Sequence, residues 1–109
     1  MTTVTDNQGT KFDGGKPRWE LMPPEIEALV SLYTAGAKKY GDRNWERGMS
    51  YGRVFGALMR HAWKWMAGEE IDPETNAHHM IAVAWGAIAI YVYTTRKVGI
   101  DDRNIKRDS

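Results

Sequence analysis

Apolar residues recur at helical spacing in three stretches of the chain, and no stretch of useful length alternates with the period of a strand. Ile26, Leu29, Val30, Leu32 and Tyr33 fall on one face of a first helix. Pro23 or Pro24 suits its first turn, Glu25 and Glu27 complement the helix dipole, and Gly41 follows Lys38 and Lys39 as a stop. A second helix is predicted from an N-cap at Ser50 to about Ala67, ended by Gly68, with Tyr51, Phe55, Leu58, Ala62 and Trp65 as its core stripe. Arg53, Arg60 and Lys64 share another of its faces. A third helix is predicted from Glu74 or Thr75 to Arg96. It is apolar nearly all round and is therefore expected to be central and buried, with Ala82, Ala84, Gly86, Ala87 and Ala89 permitting close helix contact.

The segments between the helices carry the polar signals. Residues 1–9 read as a disordered start, 10–97 as a single all-α domain, and 98–109 as a loose charged tail. Two glycines and a proline keep Lys11 to Trp19 out of a helix, giving an extended Gly-rich arm before three main helices. The chain has 109 residues, with five Trp, five Tyr and six Met, a heavy apolar load for one small domain. The bundle is accordingly expected to be completed by oligomerisation. Absence of Cys excludes a disulfide scaffold and a thiolate zinc site. No leader with a basic segment before an apolar one is visible, and the run from Met80 to Tyr93 is too short to span a bilayer, so a cytoplasmic location without membrane attachment is expected.

Net charge is +1, which argues against a nucleic-acid polymer as partner. Up to Lys64 ten basic residues stand against seven acidic ones; beyond it five stand against seven. The basic part suits a compact anion such as a phosphate ester. Backbone N–H groups around Gly14 and Gly15, with Lys11, Lys16 and Arg18, are suited to wrapping a phosphate, although the spacing is not that of a Walker loop. The alternative is an arm that packs Phe12 and Trp19 on the bundle. Lys38, Lys39, Tyr40, Arg43, Asn44 and Trp45 form a second set in which Asn reads a base edge and Trp stacks on a base, or in which Trp45 is a core lid. The third set joins Arg60, His61 and Lys64 to Glu69, Glu70, Asp72, Glu74, His78 and His79. Carboxylates, sometimes with an imidazole, hold a divalent ion beside a triphosphate. Glu74 and His78, four apart, would share a face of a helix already begun at Glu74. His61 and His79 read equally as satisfied core histidines.

Lys11-Phe12-Asp13-Gly14-Gly15-Lys16-Pro17-Arg18, Gly36-Ala37-Lys38-Lys39-Tyr40-Gly41, Asn44-Trp45, Arg60-His61, Gly68-Glu69, Asp72 with Glu74, and His79 together resemble the phage dATP/dGTP diphosphohydrolase N-terminal domain family, the MazZ type. The resemblance runs from about Lys11 to Tyr93. It implies a viral protein of deoxypurine nucleotide metabolism that converts dGTP or dATP to the monophosphate and pyrophosphate. It also implies kinship with MazG-like all-α oligomers that hold Mg or Mn through E-x-x-E and E-x-x-D pairs on adjacent helices. Here Glu25 and Glu27 have the wrong spacing, the second helix has no carboxylate, and Glu69-x-x-Asp72 alone fits. Nucleotide binding therefore carries over better than catalysis.

The resulting expectation places catalysis at His61, Glu69 and Asp72. A metal falls to Glu69, Asp72, Glu74, His78 and His79. Substrate contact falls to Lys11, Asp13, Gly15, Lys16, Arg18, Lys38, Lys39, Tyr40, Arg43, Asn44, Trp45, Arg60 and Lys64. The enzyme would need Mg or Mn. The alternative is a metal-free oligomeric sponge that sequesters a nucleotide, cyclic immune signals included.

Overall fold

The computed structural model describes residues 9, 10, 12 and 14–104. Lys11, Asp13 and most of the expected disordered start lie outside the described residues, as does the end of the tail. The described chain is all-α: α1 spans Glu27–Tyr40, α2 Tyr51–Met66 and α3 His79–Arg96. Single 3-10 turns at Trp19–Leu21, Pro24–Ile26 and Asn44–Arg47 precede or link them.

Local chemistry sets the ends. Pro24 opens the turn that feeds α1, Lys38 and Lys39 occupy its last turn, and the Gly41 N–H returns to the Ala37 carbonyl. Ser50 stands at the α2 N-cap, yet its side chain makes no cap bond. The first N–H groups of α2 are met instead from the far end of the chain. Tyr51 N–H donates to the Ile100 carbonyl at 2.9 Å and Gly52 N–H to Asp102 Oδ1 at 2.8 Å. The segment after Gly99, expected to be loose, is thus tied to α2 as far as Asp102.

The third helix starts later than its apolar pattern predicts. Residues 72–78 form a turn, because the Asp72 carboxylate takes the Glu74 N–H and the Thr75 hydroxyl, Asn76 adopts a left-handed φ of 62°, and Ile71 pairs with His78 as an antiparallel bridge. Glu74 and His78 consequently share no helical face. The His78 ring caps α3 from outside, accepting the Met80 N–H at 3.0 Å.

α2 and α3 run antiparallel: Tyr51 meets Tyr93, the Gly86 backbone meets Leu58, and His61 meets His79. A Cβ on Gly86 would stand 3.2 Å from the Leu58 Cβ, so a small residue is what allows this approach. The core is Tyr51, Val54, Ala89 and Tyr93, flanked by half-buried Trp45, Met49, Trp85, Ile90 and Val98. Of the predicted α2 stripe, Tyr51 and Leu58 face α3 but Phe55 and Trp65 do not. Val54 is buried, whereas Phe55 is 54% exposed and Trp65 37%. Tyr51, Val54, Leu58 and His61 form the row that faces α3, and Phe55 lies about 100° round the helix from Val54. α3 is not buried all round: Tyr91 is exposed, because α1 and α2 leave one of its sides uncovered. No helix of the described residues is long and apolar enough to cross a membrane.

Candidate functional site

The end of α2, the turn that follows and the first residue of α3 meet at one corner. His61 comes from α2, Glu69 and Asp72 from the connection, and His79 from the first position of α3. The connection is held by its own backbone: Asp72 N–H donates to Ala77 C=O at 2.8 Å, Asn76 N–H to Asp72 C=O at 2.7 Å, and His79 N–H to Glu70 C=O at 2.9 Å. His79 is fully buried and Asp72 nearly so.

The side chains form a chain of contacts. His79 Nε2 lies 2.7 Å from Glu69 Oε1, and His79 Nδ1 lies 2.9 Å from His61 Nδ1. Asp72 Oδ2 is 4.0 Å from His61 Nδ1. Where Glu69 accepts from His79 Nε2–H, the neutral tautomer of His79 leaves Nδ1 to accept from His61 Nδ1–H. Burial holds the His61 pKa below the usual imidazole value; the attraction of Asp72 opposes this, while His79, Lys64 and Arg60 reinforce it. The Glu74 N–H bond, helped by the Thr75 hydroxyl, holds the Asp72 carboxyl below its ordinary range. Asp72 is therefore a carboxylate at neutral pH.

This corner opens on a cleft of about 200 Å³ whose walls include Leu32, Val54, Leu58, His61, Thr75 and Trp85. The walls are apolar except at the His61 and Thr75 end. Arg60 and Lys64 stand on α2 beside His61, close enough for their charge to disfavour its protonation.

The other sequence-predicted residues are placed as follows. Glu69 touches His79, while Glu74 contributes its backbone N–H to Asp72 and has an exposed side chain. His78 pairs with Glu70 at 3.5 Å, away from the group. Arg18 pairs with Glu20 at 2.9 Å and Arg43 with Glu46 at 3.1 Å, the latter also taking Arg96 at 2.7 Å. Lys39 lies over the Tyr40 ring. Gly15, Lys16, Lys38, Tyr40 and Asn44 are exposed. Trp45 packs against Tyr33, Trp85 and Tyr93 with ring centroids 5.5, 5.9 and 6.2 Å away, which is the core-lid arrangement. Sequence reasoning missed Thr75, which both orients Asp72 and lines the cleft. The signal was present in Asp72-Pro73-Glu74-Thr75, a turn in which a carboxylate gathers the next polar hydrogens.

A Mg ion takes up to six oxygens at strict octahedral spacing, and Mn likewise favours oxygen donors. The converging donors are two imidazole nitrogens and one carboxylate, the only such group of three among the described residues. Helix α2 supplies no carboxylate to a paired E-x-x-E set. The residues of this corner do not fit the oxygen-held Mg that the family resemblance implies.

Comparison with curated proteins and with solved structures found no match. The family described as dATP/dGTP diphosphohydrolase, N-terminal, matches residues 6–103, nearly the whole chain, which spans the cleft, the His–Asp corner and the tail segment bound to α2. The chain belongs to the dATP/dGTP diphosphohydrolase N-terminal family.

Proposed function

We propose that the protein binds a purine deoxynucleoside triphosphate across this corner and hydrolyses it to the monophosphate and pyrophosphate. One observation carries the reading: a largely apolar cleft of nucleobase scale includes His61 and Thr75 in its walls, and Arg60 and Lys64 on α2 are near enough to His61 for their charge to act on it. The base lies against the apolar walls near Trp85 and Leu32, and the phosphates run out over the two cations. Water attacks the α-phosphorus: its oxygen forms the new P–O bond, the bond to the pyrophosphate oxygen breaks, and the water's proton is released to solvent. Arg60 and Lys64 neutralise the charge that collects on the departing pyrophosphate. The reacting centre is placed beside His61, whose ring meets the cleft. Family membership supports the substrate class.

The test is incubation of the pure protein with each deoxynucleoside triphosphate and a panel of divalent ions, followed by separation of products. Monophosphate and pyrophosphate in equal amounts from dATP or dGTP are expected. Replacing either Arg60 or Lys64 by Ala removes a charged contact worth about 1.5–3 kcal/mol, roughly a ten- to hundred-fold fall in kcat/KM. Recovery of intact nucleotide from the bound complex, with no product under any metal, would instead favour sequestration. The lack of a carboxylate pair on α2 supports that second reading.

The assembly is part of the proposal. Phe55, Met59, Trp63 and Met66 follow one another at spacings of four, four and three along α2 and are all exposed, Trp63 and Met66 by about two thirds. Such a stripe is covered in solution by a second copy of the chain.

A further inference from the structure

We propose that His61, Asp72 and His79 bind one transition-metal ion of the zinc class, with Glu69 as the outer carboxylate that orients His79. The inference concerns the ion's identity and its donors, and it stands whether or not the protein turns a nucleotide over.

Four observations lead there. First, Glu69 Oε1 holds His79 Nε2 at 2.7 Å, which fixes the ring and leaves Nδ1 as a bare donor. A carboxylate behind a buried imidazole is the usual outer arrangement of a metal-bound histidine. Second, that Nδ1 faces His61 Nδ1 at 2.9 Å. A proton on one of the two nitrogens makes this a hydrogen bond, and a metal ion that displaces that proton leaves both rings as ligands. Third, one ligand atom from each of His61, Asp72 and His79 lies within 4.8 Å of the others, near enough for small side-chain rotations to bring all three to one ion with bonds of about 2.0–2.2 Å. Fourth, the Glu74 N–H and the Thr75 hydroxyl aim the Asp72 carboxylate while each of its oxygens keeps a free lone pair.

The donor set chooses the ion. Two imidazoles and one carboxylate, without a thiol, favour Zn²⁺, Co²⁺, Ni²⁺ or Fe²⁺ over Mg²⁺ and Ca²⁺. Three protein ligands would leave a further position for water or a substrate oxygen, and His61 lies at the cleft wall. His78 sits outside the group, with its Nδ1 occupied by the Met80 N–H.

The test uses the tag-free 109-residue chain stripped with a chelator and titrated with Zn²⁺ or Co²⁺ alone. Calorimetry and elemental analysis of the dialysed protein should give one ion per chain, unaffected by excess Mg²⁺. Co²⁺ should develop a visible absorption band of a nitrogen- and oxygen-ligated centre. Glu69→Gln should weaken binding by about 10- to 100-fold. His61→Ala should abolish it, and His78→Ala should leave it unchanged. Should the variant of buried His79 fail to fold, His61→Ala and Glu69→Gln carry the test, both checked for helicity by circular dichroism. Absence of stoichiometric binding would overturn the proposal, since a proton then bridges the two rings. So would binding that survives His61→Ala and Glu69→Gln unchanged. Zinc binding without nucleotide hydrolysis would refute the hydrolase reading and leave the metal site standing; hydrolysis with Mg²⁺ and no zinc binding would do the reverse.

Discussion

Substituting Asp72 by Ala and by Asn separates what this residue does for the fold from what it does for the site. Its carboxylate accepts the Glu74 N–H at 3.0 Å and the Thr75 hydroxyl at 3.1 Å, and its side chain is almost fully buried. Hydrogen bonds to a charged acceptor contribute about 1.5–3 kcal/mol each. Both donors belong to exposed residues that rehydrate when the carboxylate is removed, so each bond takes the low end of that range. Asp72→Ala should therefore destabilise the protein by about 2–3 kcal/mol and lower Tm by roughly 10 °C. Asn keeps Oδ1 for the Glu74 N–H, and its amide meets a hydroxyl that can turn to accept. Asp72→Asn should accordingly cost less than about 1 kcal/mol. It nevertheless removes the negative charge from the His61–His79 corner, and should reduce both zinc affinity and dGTP turnover by at least about tenfold, the lower bound for a metal-site partner. Urea and thermal unfolding followed by circular dichroism give the first comparison; ion titration and product analysis give the second. Equal destabilisation by Ala and Asn would refute the turn argument, and full activity in a folded Asp72→Asn protein would refute its place in the site.

Other consequences are open to measurement. Burial raises the pKa of Tyr93 and of Tyr33, with Tyr33 adding to the effect at Tyr93 and Glu46 to that at Tyr33. Folded tyrosines with raised pKa values stabilise the protein fully below about pH 10, where the unfolded chain ionises, and that stability is lost as pH rises through the folded values. Tyrosinate absorbance should show these two ionising together with loss of helix, and their ionisation in the ordinary range with the helices intact would contradict the packing described. Gly99→Ala should cost about 2–3 kcal/mol, because its φ is +82° and a Cβ would stand 2.5 Å from the Met49 carbonyl oxygen; an unchanged urea midpoint would show that the docked tail is not part of the fold. Trp63→Lys combined with Met66→Lys should convert the assembly to single chains in light scattering, whereas a wild type that is already monomeric, or an assembly that persists, would refute the stripe as an interface.

Much of the architecture was legible because three apolar stretches keep helical period and end in Gly or Lys-Gly signals, as at Tyr40–Gly41 and Ala67–Gly68. Val54 against Phe55 was not legible: both are apolar neighbours, and which faces α3 depends on the azimuth at which the two helices meet. The start of α3 was misread because Glu74 and Thr75 are good first-turn residues, and only the competing turn built by the Asp72 carboxylate stops them. His61 and His79 could be named as candidates, but their contact is long-range. It follows from the length of the connection, which folds back on itself through the Ile71–His78 bridge. The contact of Glu69 with His79, and the capping of α2 by Ile100 and Asp102, likewise depend on tertiary placement that no local pattern encodes.

The reading as a whole requires that chemistry occur where His61 meets the cleft. The most direct measurement is steady-state turnover of dATP and dGTP by wild type and by folded His61→Ala, with nucleotide affinity determined in parallel. Production of monophosphate and pyrophosphate by wild type, reduced to background in His61→Ala while the nucleotide still binds, is the predicted result. Equal rates in the two proteins would place the reaction elsewhere and contradict it.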